Sequence, residues 1–112
     1  MEIRSGILKL LDESYVSRIN NLEQSIQLAN EALQLAQFHH RKELIAKSYS
    51  HLSLFHMIKG DNDTCTEYAN ISIELYQELE DDRGIADAKY AIAGVMYKTN
   101  NYHLGLVYMV DA

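Results

Sequence analysis

Apolar side chains recur along this chain at the spacing of an α-helix. Leu22, Ile26, Ala29 and Leu33, for example, lie three or four positions apart and would share one face of a helix. The chain contains no proline, so no residue in it is barred from a helix interior. The pattern predicts an all-α fold of about six helices, near residues 3–18, 22–38, 42–58, 63–80, 84–98 and 102–112.

The segments between these helices repeat with a period of 40 residues. Two adjacent columns of the repeat contain only asparagine, aspartate or glycine: Asn20-Asn21, Gly60-Asp61 and Asn100-Asn101. These residue types cap helices or tolerate a left-handed backbone, so each pair predicts a tight turn. Each unit is therefore expected to contain a first helix, a tight turn, a second helix and a polar connection.

Small residues occupy two further columns, both in the second helix of each unit. One column contains Ser25, Cys65 and Gly105, and the other contains Ala32, Ser72 and Ala112. Small side chains at helical spacing let two helix backbones approach closely. The pattern predicts a single domain of three stacked units, at about 1–40, 41–80 and 81–112.

The first helix does not follow this repeat. A strict offset of 40 residues would place Asp12 and Glu13 at core positions, where buried carboxylates are costly. A slide of one or two residues would instead bury Ile7, Leu10, Leu11 and Tyr15. We therefore expect either a shifted first helix or an N-terminal cap, since terminal repeats are often atypical.

The order of large and small residues around the turns resembles the tetratricopeptide repeat (TPR), a family of stacked helix pairs. In the third unit the resemblance runs through Ile92, Ala93, Met96, Tyr97, Asn100, Asn101, Tyr102, Gly105, Met109 and Ala112. The family period is about 34 residues, so the unit of 40 residues is longer here. The resemblance implies antiparallel helix-turn-helix repeats stacked as an α–α superhelix.

Longer units preceded by a polar segment, as in Asp81 to Ala86, resemble the sensor arrays of bacterial signalling proteins. Such arrays stand before diguanylate cyclase (GGDEF) or nucleotide cyclase domains, and in histidine kinases and peptide-responsive regulators. The resemblance implies a protein- or peptide-binding regulatory module in the N-terminal part of such a protein. Catalysis would then belong to another domain, and this region is expected not to be an enzyme.

In the TPR family, the first helices line a concave groove that binds the partner. Carried over column by column, this groove contains Lys47, His51, Leu54, Met57, Asp87, Tyr90, Tyr97 and Lys98. The alternative is that these positions face only solvent or a neighbouring subunit. The Lys/Asn set with which some family members hold the C-terminal carboxylate of heat-shock chaperones is missing, so we expect that ligand class not to bind.

The last expected helix stops at Ala112 without a helix to cover it. An uncovered end of a repeat array exposes apolar surface. We therefore expect either a fragment of a longer protein or a homodimer, in which the chain is a dimerisation scaffold. Self-association would then use Tyr102, Leu106, Met109 and Val110.

Composition narrows the choice of partners and compartment. The net charge of −6 argues against nucleic acid, because binding phosphates requires a basic surface. No apolar run is long enough to span a bilayer, and the N-terminus has no secretory signal. With a single cysteine, the chain is expected to be cytoplasmic and not inserted in a membrane.

Residues capable of chemistry are not arranged as a site. His39-His40 with Glu43 comes nearest to a metal-binding set, but adjacent histidines diverge and no second ligand pair has suitable spacing. Cys65 falls in a packing column and is expected to be a buried thiol. We expect no catalytic, cofactor-binding or metal-binding residues.

Overall fold

The computed structural model describes residues 2–98, with side chains up to residue 95. This part of the chain is all-helical and contains five helices: α1 (Ile3–Ser17), α2 (Leu22–Phe38), α3 (Lys42–Lys59), α4 (Asn62–Glu78) and α5 (Asp82–Lys98). The all-α prediction is confirmed, and each helix boundary lies within two residues of its expected position. The sixth expected helix, 102–112, lies outside the described residues.

The second helices begin at the predicted turn columns. The side chain of Asn21 accepts a hydrogen bond from the backbone N–H of Gln24 at 3.1 Å. Asp61, 40 positions on, accepts one from the backbone N–H of Thr64 at 3.2 Å and another from its hydroxyl at 2.7 Å. Each side chain satisfies donors that a helix N-terminus leaves unpaired, so the repeat reflects N-capping.

The connections between units repeat through their backbone. His40 and Glu80 both adopt a left-handed conformation, with φ of 55° and 56°. After them, the N–H of Arg41 donates to the carbonyl of Ala36 and that of Asp81 to the carbonyl of Tyr76, both at 2.9 Å. These are the bonds of a Schellman motif, which ends a helix and reverses the chain.

The helices form two layers. Each helix packs against its neighbours in sequence, and α3 also contacts α1 and α5, whereas no contact joins α2 to α4 in the described part. The first helices of the units therefore form the closer-packed layer. This is the stacking order of helix-hairpin repeats, while a complete superhelix remains a prediction.

The second helices present small side chains to the first. The residues fully buried in α2 and α4, with no exposed surface, are Ser25, Ala29, Ala32, Ala36, Cys65, Ala69 and Ser72. They include both predicted small-residue columns, apart from Gly105 and Ala112, which lie outside the described residues. Larger side chains such as Leu44, Leu52 and Phe55 of α3 fill the space between the layers.

Helix α1 is shifted by one residue relative to the repeat. Its buried residues Ile7, Leu11 and Ser14 match the buried positions of α3 at an offset of 41 rather than 40. Asp12 and Glu13 are consequently exposed. The predicted slide is confirmed for Ile7 and Leu11, and Leu10 is partly buried against the same core. Tyr15 was wrongly placed in the core: it is 43% exposed, because its ring lies at the surface, edge-on to His51 of α3.

Within residues 2–98, the helices lack the combination of length and apolar character that crossing a membrane would require.

Candidate functional site

A groove with a volume of about 1080 Å³ lies between the first helices of the three units. Six of the eight groove residues expected from the sequence line it: Lys47, His51, Leu54, Met57, Asp87 and Tyr90. The other two, Tyr97 and Lys98, belong to the last turn of α5, and their side chains lie outside the description. The self-association residues Tyr102, Leu106, Met109 and Val110 also lie outside the described residues, so that alternative stays a prediction.

One wall of the groove comes from α1 and was missed by the column alignment. Its residues are Arg4, Leu8, Tyr15 and Arg18. They follow one another at four, seven and three positions, a spacing that keeps them on one stripe of a helix. That spacing is visible in the sequence, but the irregular register of α1 obscured its relation to α3.

Tyr15 is the centre of an aromatic cluster on this wall. The guanidinium carbon of Arg18 lies 3.8 Å from the centre of its ring, and Nη1 of Arg18 donates to the Tyr15 carbonyl at 2.7 Å. The ring of His51 meets Tyr15 edge-on, with 6.0 Å between ring centres. The cluster therefore joins a cation on α1 to a histidine on α3 through one aromatic ring.

His51 is held in a defined orientation. Its Nδ1 donates to the carbonyl of Lys47 at 3.0 Å, which leaves Nε2 for another partner. Burial lowers the pKa of His51 below its ordinary value, against the smaller raising effects of the hydrogen bond to Lys47 and of the Asp12 and Asp87 carboxylates. At neutral pH the ring is therefore uncharged and presents an acceptor nitrogen.

Ion pairing and capping engage two carboxylates of the groove. Glu43 forms a salt bridge with Arg4, which joins the N-terminal ends of α3 and α1. Asp81 accepts a hydrogen bond from the N–H of Gly84 at 3.0 Å and so caps α5. These contacts fix the rim of the groove.

Glycines allow close packing behind the α5 side of the groove. A Cβ atom on Gly84 would collide with the ring of Tyr76, and one on Gly94 would collide with the sulfur of Met57. Burial, with the nearby charges of Asp81 and Asp87, raises the pKa of Tyr76 to about 12, so its hydroxyl stays protonated. Tyr76 and Met57 thus reach the groove from α4 and α3 without displacing α5.

No set of three or more His, Cys, Asp or Glu in the described part of the chain is placed to hold a metal ion. Cys65 is fully buried, and its thiol lies 3.9 Å from the carbonyl of Ala91. His56 is partly buried, with Nδ1 3.8 Å from the Asp61 carboxylate.

Comparison with models of protein families, with curated proteins and with solved structures finds no match. The TPR resemblance therefore remains a prediction, and the function has to be argued from the groove itself.

Proposed function

We propose that this chain is a TPR-like regulatory module that binds a protein or peptide segment in the groove between α1, α3 and α5. The observation that carries the proposal is the exposure of large side chains inside a concave surface. Tyr90 is 61% exposed and Ile58 is 41% exposed, and both line the groove. Apolar side chains grouped in a concave surface are typical of a binding site.

The walls of the groove suit a peptide segment better than a small molecule. They mix apolar side chains with charged ones from three helices, over a volume of about 1080 Å³. A helix or extended segment would place alternate side chains against such walls. Tyrosines contribute strongly to interfaces because they bury a large area at a low cost in side-chain entropy.

The proposal has three further parts, which rest on the sequence resemblance. They are a role in bacterial signalling, a cytoplasmic location, and catalysis by another domain. In such an arrangement, occupation of the groove would regulate an output domain.

Selection from a displayed library of random peptides tests the proposal. Peptides enriched on the purified chain would be synthesised and their affinity measured by fluorescence polarisation against the original chain and Tyr90→Ala. We expect Tyr90→Ala to weaken binding at least about fivefold, as for a central interface residue. Its exposed position means that the substitution should leave the fold intact.

Phe38→Ala is the matched control. Phe38 is another exposed aromatic residue, 76% accessible, but it is not among the residues that line the groove. Its loss should leave affinity unchanged. If the selection enriches no peptide, or if Tyr90→Ala binds every enriched peptide as well as the original chain does, the groove is not the binding site.

A further inference from the structure

The charges of the groove indicate what kind of segment it binds. Its lining includes four cations and three carboxylates: Arg4, Arg18, Lys47, Arg83, Glu43, Asp81 and Asp87. The whole chain, by contrast, contains 10 basic and 16 acidic residues. Cations therefore outnumber carboxylates in the groove, although the chain as a whole is acidic.

The excess of cations over carboxylates is larger when groups already engaged in an ion pair or a helix cap are set aside. Glu43 is paired with Arg4, and Asp81 caps α5. Asp87 is the lining carboxylate without such a contact among residues 2–98. On the same part of the chain, Arg18, Lys47 and Arg83 form no ion pair with a carboxylate.

These cations lie beside apolar surfaces. Arg18 is stacked on Tyr15 and uses one N–H on the Tyr15 carbonyl, so most of its five donors are left for a partner. Lys47 lies one turn before His51, which contacts the same tyrosine ring. A carboxylate bound to either cation would hold a neighbouring apolar side chain against Tyr15 or Leu54.

Three different helices present these cations: Arg18 follows the last residue of α1, Lys47 lies in α3 and Arg83 lies in the first turn of α5. A C-terminal carboxylate alone would therefore use only part of the site. Several acidic side chains along one segment would match the arrangement better, each contacting a different helix.

We propose that the groove binds a peptide segment in which carboxylate side chains are interspersed with large apolar side chains. This inference rests on the proposed function, since it names the partner of the same groove. The acidic exterior of the chain would repel such a segment at a distance, so its preference must come from short-range contacts inside the groove.

Three labelled peptides test the inference. In the first, leucine alternates with glutamate, and in the others glutamine or lysine replaces every glutamate; all are acetylated and amidated at their ends. Fluorescence polarisation at physiological salt should show the glutamate peptide binding at least about fivefold tighter than the glutamine peptide, and the lysine peptide weakest. A glutamate peptide with a free C-terminal carboxylate should bind no better than the amide.

Variants in which glutamine replaces one cation show which cations cause the preference for the glutamate peptide. Arg18→Gln and Lys47→Gln should each reduce the advantage of the glutamate peptide over the glutamine peptide. Lys9→Gln is the control, because Lys9 is exposed on α1 outside the groove and its loss changes the net charge equally. Circular dichroism would establish that all three variants retain their helices.

Several results would overturn the inference. The inference fails if the glutamate and glutamine peptides bind with equal affinity, if the lysine peptide binds tightest, or if no peptide binds. It also fails if Lys9→Gln reduces the advantage of the glutamate peptide as much as Lys47→Gln does. A requirement for the free carboxylate would overturn it in favour of a terminal-carboxylate site. If all peptides bind alike and Tyr90→Ala weakens them all, only the acidic preference is wrong; if Tyr90→Ala has no effect on peptides that bind, the groove proposal fails as well.

Discussion

The two complete helix pairs, α1–α2 and α3–α4, agree in their second helices and differ in their first. At an offset of 40 residues, α2 and α4 share the position of their capping residue and three buried small positions, whereas Ala36 of α2 corresponds to Tyr76 of α4. The first helices agree only at an offset of 41, and at one buried position Ser14 of α1 corresponds to Phe55 of α3. The connection after α1 accommodates the extra residue.

The difference between the first and second helices reflects two requirements on the sequence, which are packing and lining the groove. The second helices mainly pack, so their small residues repeat. The first helices pack and also line the groove, and α1 has no earlier helix of the described chain to cover it. At the 41-residue offset, Tyr15 corresponds to His56: Tyr15 is exposed in the groove, whereas His56 packs against Tyr68 with ring centres 5.6 Å apart.

The largest expected effect on stability comes from truncating Phe55, at the buried position where α1 has a serine and α3 a phenylalanine. Phe55 has no exposed surface, and Phe55→Ala should lower the free energy of unfolding by about 3–5 kcal/mol. Ser14→Ala, at the equivalent position of α1, should change it by less than about 1 kcal/mol. The Ser14 hydroxyl bonds only to the carbonyl of Leu11 in its own helix, at 2.6 Å.

Urea unfolding followed by circular dichroism measures both changes. Equal losses for the two variants would contradict the view that the core depends chiefly on α3. A loss below about 2 kcal/mol for Phe55→Ala would show that the space between the layers can collapse.

A smaller effect should distinguish the otherwise matching second helices. Ser72 donates a hydrogen bond to the carbonyl of Ala46 in α3 at 2.7 Å, and the equivalent residue of α2 is Ala32. Ser72→Ala should therefore cost about 1 kcal/mol, the usual contribution of a buried hydrogen bond. Ser25→Ala is the control, because its hydroxyl makes only a long contact of 3.4 Å within its own unit. Equal urea midpoints for Ser72→Ala and the original chain would show that this bond does not stabilise the pair.

The turns of the repeat should respond in opposite directions to substitution. Gly60 has φ of 96° and open space around its Cα, so Gly60→Ala should cost about 1 kcal/mol through the backbone alone. Glu80 is left-handed without being glycine, and Glu80→Gly should gain about 0.5 kcal/mol. Thermal unfolding in parallel would reveal the two shifts. A destabilised Glu80→Gly chain would contradict the importance of the left-handed strain.

Much of this fold could be predicted because the residues that repeat are those that cap helices or allow helices to pack closely. Asn21 and Asp61 are capping residues whose chemistry is evident from the sequence, and the small columns follow from helix packing. The left-handed conformation of Glu80 could not be predicted, since glutamate has no preference for it and the Schellman bonds impose it. The stacking of Arg18 on Tyr15 depends on which side of α1 is left uncovered, and no periodicity in α1 alone decides that.

The smallest expected effect is a loss of stability in mild acid that originates in α3. Burial lowers the pKa of both His51 and His56 in the folded chain. The unfolded chain therefore binds more protons below about pH 6.5, and stability that is complete above this pH is lost as the pH falls towards the folded values. Each histidine can contribute at most about 1.4 kcal/mol per pH unit. We expect less than the Gly60→Ala effect, because both rings retain some contact with solvent.

Urea midpoints at pH 7.5 and at about pH 5.5 would measure this loss, in a range that carboxylates at their ordinary pKa values barely affect. The variant with both His51→Gln and His56→Gln should be nearly insensitive to the same change. A variant with His39→Gln and His40→Gln keeps the two histidines of α3 and should lose stability as the original chain does. If acid stabilises the original chain, or if the second variant removes the effect, the sensitivity does not come from α3. The comparison then tests the difference between the first helices directly, because α1 has Leu10 and Tyr15 where α3 has its two histidines.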